Sequence, residues 1–261
     1  MTSYRYLYMY KLNTAEQPDL FFSEDFKLKL EIIAEKMEEN RAPINTNGRV
    51  EGEGFGKIEL LTIDDKHCIR SICISLSSLG NYNEAFFQQG DFITERKQHK
   101  YYTKSTLILT EDSEVIIMFD NSIEEKAKSK VKAQIEQLGF EATSLQINDP
   151  LIRNIKDKYS WRAATFNKIV KHGDNTRRVS FEIDPANDQD RSLIDDQYRE
   201  HGELAHIKFE LPYNSNGVET YKTVTLYSNG NRIVVNEEEF NDSQNFNEFI
   251  IYLMKQLQSL S

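Results

Sequence analysis

The sequence predicts an α+β fold, built mainly of antiparallel sheets made from hairpins, with one or more helices covering each sheet. Two observations lead to this prediction. Short runs of β-branched and aliphatic residues occur in pairs separated by brief polar turns, and amphipathic helical patterns follow only some of these pairs. Regular strand–helix–strand alternation, which would indicate a parallel sheet, is missing from the pattern.

The stretch from Ser105 to Ile147 carries the strongest local signals. Strands are predicted at 106–110 and 115–119, joined by an acidic tight turn. Ser122 and Glu125 have the spacing of a capping box, in which each side chain bonds a free backbone N–H at a helix start. The helix predicted to follow has an apolar stripe at helical spacing, formed by Ile123, Ala127, Val131, Ile135 and Leu138. A glycine ends this stripe, and a further strand is predicted at 140–147.

Tyrosines occupy positions 4, 6, 8 and 10, and this period of two predicts a strand with four aromatic rings on one face. Two interpretations stay open: a stacking platform for bases or sugars, and a sheet face packed under a helix. A helix is predicted next, from Ser23 as N-cap to about Asn40.

Residues 41–104 are predicted to contain a loop, a hairpin and a polar stretch. Residues 41–56 hold four glycines and form the loop; they lack the Lys-Ser/Thr pair of a phosphate-binding loop. Residues 57–63 and 67–75 flank Asp64-Asp65-Lys66 and predict the hairpin. Residues 81–104 are polar and weakly patterned, with a helical turn predicted at 84–87.

The C-terminal half repeats this alternation of hairpins and helices. The pattern predicts a short helix at 150–159, a hairpin formed by 161–171 and 177–183, a three-stranded meander and a terminal helix at 243–260. The meander strands are placed at 205–211, 219–227 and 231–235. We predict two α+β domains, 1–150 and 151–261.

Composition limits the function classes. The net charge is −10, so the chain as a whole is not built to coat nucleic acid or an anionic membrane. The only two cysteines, Cys68 and Cys73, have opposite parity on one predicted strand, which disfavours a disulfide and fits a reducing compartment. No signal peptide and no membrane-spanning stretch is predicted, so we expect a cytoplasmic protein.

One basic segment interrupts this acidic chain. Eight Lys or Arg residues and two Asp residues lie between Arg153 and Arg178, with aromatic residues interleaved. Cations that neutralise phosphates release counterions, and aromatic rings stack on unpaired bases. The sequence therefore predicts a non-enzymatic nucleic-acid-binding protein, in a bacterial or phage defence assembly, that forms an oligomer or a larger complex. Its predicted contact residues are Trp161, Arg162, Lys168, Lys171, Arg177 and Arg178.

Two other functions stay open. In the first, the basic segment pairs with the acidic runs 182–203 and 237–242, within the fold or between subunits, and the protein is an interaction module without nucleic acid. In the second, Asp120 at a strand end and Glu124 nearby form a metal-dependent nuclease site, although acidic residues also favour the first turn of a helix.

No enzyme class is favoured by motif. His201, Glu203 and His206 are the only local histidine cluster, and their spacing does not match a helical zinc site. No nucleophile elbow or dinucleotide fingerprint occurs. We therefore expect no metal, no cofactor and no catalytic residue.

Overall fold

The computed structural model describes residues 3–14, 18–183, 193–215 and 217–261. The predicted α+β class is confirmed. The strands are β1 Tyr4–Asn13, β2 Gly54–Ile63, β3 Lys66–Gln88, β4 Asp91–Thr110, β5 Glu114–Phe119, β6 Glu141–Ser144, β7 Trp161–Asn167, β8 Val179–Glu182, β9 Glu203–Ser215, β10 Val218–Tyr227 and β11 Arg232–Asn236. The helices are α1 Pro18–Phe21, α2 Leu30–Glu39, α3 Lys128–Glu136, α4 Asp149–Lys158, α5 Leu193–Tyr198 and α6 Ser243–Leu260.

The strands form one sheet of eleven, not two separate sheets. Their order is β2-β3-β4-β5-β1-β11-β10-β9-β7-β8, with β6 beside β1. The chain nevertheless divides into two compact units. Unit A contains residues 3–11, 62–66 and the described residues from 143 to 261, and unit B contains residues 12–14, 18–61 and 67–142. The division at residue 150 into two domains stays a prediction.

In unit A, helices α4 and α6 cover one face of the antiparallel strands β7 to β11. Alternate residues of β9 and β10 point into this core, including Phe209, Leu211 and Val224, all at most 1% exposed. Both helices begin at side-chain caps: Asn148 accepts a hydrogen bond from the Leu151 amide, and Asp242 caps α6 in the same way. The predicted helix at 150–159, the meander and the terminal helix are confirmed.

The tyrosine strand is also confirmed as β1. Tyr8 and Tyr10 are 3% and 6% exposed. Leu7, which lies between Tyr6 and Tyr8, is fully buried. The core interpretation therefore holds for Tyr8 and Tyr10, while Tyr4 stays half exposed at the strand start.

In unit B, β4 and β5 form the predicted hairpin, and every residue of β5 is buried. The predicted capping box is wrong. Asn121, not Ser122, accepts hydrogen bonds from the Ile123 and Glu124 amides. The chain enters through a short 3₁₀ turn, Glu124–Ala127, before α3 begins. The asparagine one residue upstream satisfies different orphan amides, and its backbone carbonyl accepts a hydrogen bond from the Glu125 amide, which shifts the start of the helix.

The helix predicted from Ser23 begins instead at Leu30. Phe26 adopts a positive φ of 58° and is 85% exposed. Ser23 therefore organises a turn: its hydroxyl accepts a hydrogen bond from the Lys27 amide and its carbonyl accepts one from the Phe26 amide. A left-handed residue cannot continue a right-handed helix, so the apolar spacing before Leu30 was misleading.

The region 81–104 differs most from its prediction. It contains no helical turn; β3 and β4 continue through it as one long antiparallel hairpin, paired from Cys68–Thr110 to Gln88–Asp91. Gln89 and Gly90 close the hairpin, with positive φ values of 52° and 86° that suit a two-residue turn. The hairpin beyond Ser78 and Lys100 is called the arm below.

Cys68 and Cys73 form no disulfide, and both are fully buried. Burial raises the pKa of Cys73 to about 12, although a hydrogen bond with Ser105 opposes the shift. The thiolate is the reactive form. We therefore expect an aromatic disulfide reagent to leave both thiols unmodified in the native protein at pH 8 and to modify both in denaturant. Rapid native modification of either thiol would contradict this burial.

Candidate nucleic-acid interface

The first two predicted contact residues lie on β7 and point to opposite sides of the sheet. The ring of Trp161 packs edge-on against Phe181, with 5.6 Å between ring centroids, on the side covered by the helices of unit A. The Lys156 ammonium lies 5.6 Å from the same ring. Arg162, the next residue, forms an ion pair with Glu210 of β9. Trp161 and Arg162 therefore do not share a face.

The other four predicted residues lie in the connection between β7 and β8. Lys168 pairs with Glu203 at 2.6 Å, and the Lys171 ammonium lies 5.7 Å from the Tyr198 ring. Arg177 and Arg178 are exposed, and neither forms an ion pair with the part of the chain that the structure describes. All four lie in one connection; their role in binding stays a prediction.

Much of the remaining basic segment is used inside unit A. Lys156 and Asp195 form an ion pair whose side chains are only 6% and 5% exposed. Arg153 bonds Asp149 at 2.8 Å and the Gly202 carbonyl at 2.9 Å. Internal contacts therefore account for both bases, and Lys156 makes its contact with the acidic run. Residues 184–192 of that acidic run lie outside the described residues.

The second acidic run, 237–242, also makes contacts within unit A. Glu237 pairs with Arg5 at 2.6 Å. The carboxylate of Glu239 accepts a hydrogen bond from the Thr223 amide, and Asp242 caps α6. These contacts stabilise the fold and leave little of this run for a basic partner.

The residues proposed for a nuclease do not form a metal site. Asp120 forms an ion pair with Lys104 at 3.3 Å. Among residues 3–14, 18–183, 193–215 and 217–261, no group of three or more His, Cys, Asp or Glu side chains is arranged to hold a metal ion. The described residues offer no support for metal-dependent cleavage at Asp120 and Glu124.

A cationic cluster in unit A surrounds His206, which sequence analysis did not connect with the basic segment. The pKa of His206 lies below its ordinary value, because the side chain is largely buried and because Arg178, Arg232 and Lys208 lie nearby. The Arg232 guanidinium lies 4.1 Å from the ring of Tyr227. Arg178, from the β7–β8 connection, therefore belongs to a cluster with Lys208 of β9 and Arg232 of β11, in which Arg232 packs against a tyrosine ring.

Unit B contains a polar cavity of about 340 Å³ lined by residues of the 39–55 segment and α3. Two of its charged groups pair with each other: Lys130 bonds Glu53 at 3.3 Å, and also the Leu76 carbonyl. Gln134 donates to the Ile74 carbonyl and the Ser75 hydroxyl. The cavity lacks a nucleophile with an adjacent base and defines no reaction.

The arm is a long exposed hairpin of unit B. From Ser78 to Lys100, every side chain is exposed except Glu84, Phe86 and Lys97, which are half-buried. At about 3.4 Å per residue, its ten residues beyond Ser78 extend roughly 34 Å. Core packing does not explain a hairpin of this length, because it buries almost none of its side chains; a contact surface for a partner does.

The two faces of the arm differ in charge. Alternation along the paired strands puts one set of nine residues on the same side: Asn81, Asn83, Ala85 and Phe87 of β3, and Phe92, Thr94, Arg96, Gln98 and Lys100 of β4. This set, called the cationic face, holds no acidic residue. Along β4 the alternation continues to Tyr102 and Lys104, both exposed.

The opposite face holds all three acidic residues of the arm. Glu84 lies directly across from Glu95, and Asp91 lies beside the turn. Lys97 pairs with Glu84, and its ammonium lies 4.9 Å from the Phe86 ring. Glu84 raises the pKa of Lys97 above its ordinary value. Lys97 therefore neutralises this face only in part and the face stays acidic, whereas Arg96 and Lys100 of the cationic face lack acidic neighbours on the arm.

The tip of the arm exposes two aromatic rings. Phe87 and Phe92 lie directly opposite each other, with ring centroids 4.9 Å apart, and are 66% and 77% exposed. Both belong to the cationic face. Large apolar side chains exposed together in this way are characteristic of contact surfaces.

The sequence does not predict the arm, because the strands of the arm face solvent on both sides. Without a buried face, alternation between apolar and polar residues disappears. The available signal was Gly90 between two apolar pairs, Phe86-Phe87 and Phe92-Ile93, which is typical of a hairpin turn.

Comparison with known protein families finds no family model that matches this chain, and comparison with curated proteins finds no significantly similar sequence. No helix in the described part of the chain has both the length and the apolar character needed to cross a bilayer.

Proposed function

We propose that this chain is a cytoplasmic, non-enzymatic nucleic-acid-binding protein whose main contact surface is the cationic face of the arm. The observation that supports this most is the separation of charge on one exposed ribbon. Arg96, Lys100 and Lys104 lie on one side with the aromatic tip, and the acidic residues of the arm lie on the other. Buried cysteines that form no disulfide fit the reducing cytoplasm. The defence setting stays a prediction.

The spacing of the cations suits a phosphate backbone. Arg96, Lys100 and Lys104 recur every fourth residue of β4, which places them about 13–14 Å apart along the strand. Such a row follows a nucleic-acid backbone instead of one isolated phosphate. Phe87, Phe92 and Tyr102 add rings that contact bases.

The net charge of −10 makes this local arrangement necessary. An acidic protein gains little from long-range attraction to nucleic acid, so its binding depends on a few close contacts. A surface free of carboxylates satisfies this requirement, because a carboxylate beside a phosphate would repel it. The cationic face meets the condition from Asn81 to Lys100. Lys104, beyond it on β4, forms an exposed ion pair with Asp120 at 3.3 Å, which a phosphate would have to displace.

A variant with Arg96, Lys100 and Lys104 all replaced by Ala tests this interface. We expect its affinity for a short DNA duplex to fall roughly 100-fold, at about 1 kcal/mol for each lost contact to a charged group. The salt dependence should also flatten, by about 0.9 in log–log slope for each lost contact to a phosphate. Fluorescence anisotropy with a labelled duplex at two salt concentrations measures both quantities.

The matched control removes the same number of charges from the segment predicted by sequence, as Lys168→Ala, Arg177→Ala and Arg178→Ala. We expect this control to bind within about threefold of the unmodified chain. A large loss in the control with none in the arm variant would move the interface to the β7–β8 connection. If the unmodified chain binds no nucleic acid at low salt, the function is wrong, and a protein partner for the arm becomes the explanation.

A further inference from the structure

We infer that the arm reads base edges in the major groove of double-stranded DNA, with Asn81, Asn83, Arg96 and Gln98 as the residues that determine specificity. This inference rests on the proposed function and goes beyond it, since phosphate contacts alone carry no sequence information. It assigns these four residues a role different from that of Lys100 and Lys104.

The four side chains form a compact group on the stem of the arm. Asn83 lies directly across from Arg96, and Asn81 lies directly across from Gln98. All four are exposed and belong to the cationic face. They therefore occupy two successive cross-strand pairs, between the aromatic tip and Lys100.

The chemistry of this group is that of base recognition. Arginine bonds both acceptors of a guanine edge in the major groove, and Asn or Gln bonds both the acceptor and the donor of an adenine edge. All four of these side chains are of these types. The exposed rings of Phe87 and Phe92 add apolar surface, which fits the methyl group of thymine in the same groove.

The shape of the arm selects the groove and the nucleic acid. Two strands about 4.8 Å apart form a ribbon that fits the major groove of B-form DNA, about 12 Å wide. The minor groove, about 6 Å wide, is too narrow for it and offers a degenerate pattern. The major groove of an RNA helix is deep and too narrow for side chains to read. The ribbon is therefore expected to prefer duplex DNA to duplex RNA.

Selection from a pool of randomised DNA duplexes tests this inference. We expect the full chain to enrich a short motif containing guanine and adenine, and to bind it at least tenfold more tightly than a scrambled duplex. Arg96→Ala should reduce the preference at one guanine position about tenfold or more. Asn83→Ala should relax a neighbouring position.

Lys100→Ala is the matched control, because Lys100 lies on the same face and strand as Arg96. It should weaken binding to motif and scrambled duplexes equally and leave the enriched motif unchanged. Binding to DNA without any enriched motif would overturn the inference while the proposed function stands. Tighter binding to single strands or to duplex RNA would also overturn it. Failure to bind any nucleic acid would overturn both.

Discussion

Removing the arm should abolish nucleic-acid binding and leave the rest of the protein folded. In the proposed variant, residues 78–100 are replaced by Asn-Gly. Ser77 and Tyr101 lie directly opposite each other, so a two-residue turn closes the shortened hairpin between them. The removed side chains are almost all exposed and contribute little to the core. We expect affinity for duplex DNA to fall at least 100-fold, with a melting temperature within about 5 °C of the original.

Circular dichroism and anisotropy on the same preparation separate the two effects. A useful comparison is the full-length Phe87→Ala/Phe92→Ala variant, which keeps the stem and removes only the rings of the tip. It should retain the salt-dependent contacts and lose the part of the affinity that comes from ring contacts. An arm-free variant that folds and still binds DNA with unchanged affinity would exclude the arm as the interface.

Replacing Lys156 with Ala should strongly destabilise unit A. Lys156 and Asp195 are almost completely buried as an ion pair, and Asp195 has a second carboxylate oxygen without a hydrogen-bond partner among the described residues. Removing the lysine leaves a buried carboxylate without its counter-charge. Breaking such a pair on one side costs about 3–5 kcal/mol, and urea unfolding followed by circular dichroism measures this loss.

Lys168→Ala provides the control, because it removes a lysine from an exposed ion pair in the same basic segment. Exposed pairs contribute about 0–1 kcal/mol, so its unfolding free energy should stay close to that of the unmodified chain. If Lys156→Ala left stability unchanged and weakened DNA binding instead, Lys156 would be a contact residue and the buried pair would be misassigned.

Elements with consistent local signals were predictable from sequence. The β4–β5 hairpin has a clear turn between two apolar runs, and α6 has an apolar stripe and a capping aspartate. At other positions the apolar spacing and the backbone conformation disagree. The apolar spacing after Ser23 suggested a helix, but Phe26 takes a left-handed conformation and delays the helix to Leu30.

The candidate site was less predictable because function here depends on pairing across the chain. The local charge of the basic segment predicts a binding surface, but several of its cations pair with acids far away in the sequence. Arg162 pairs with Glu210, and Lys156 pairs with Asp195. On the arm the reverse holds. Its overall composition is balanced, and only the register of β3 against β4 reveals that the acidic residues lie on one face and Arg96 and Lys100 on the other.

The salt dependence of duplex DNA binding by the unmodified chain tests the central claim most directly. With Lys100 and Lys104 as phosphate contacts and Arg96 on a base edge, the log–log slope should be about −1.8, so affinity falls roughly 12-fold between about 50 and 200 mM salt. The experiment is an anisotropy titration at several salt concentrations. A slope near this value that flattens in the triple alanine variant supports the arm as a nucleic-acid interface. Binding that is absent at the lowest salt concentration, or independent of salt, contradicts it.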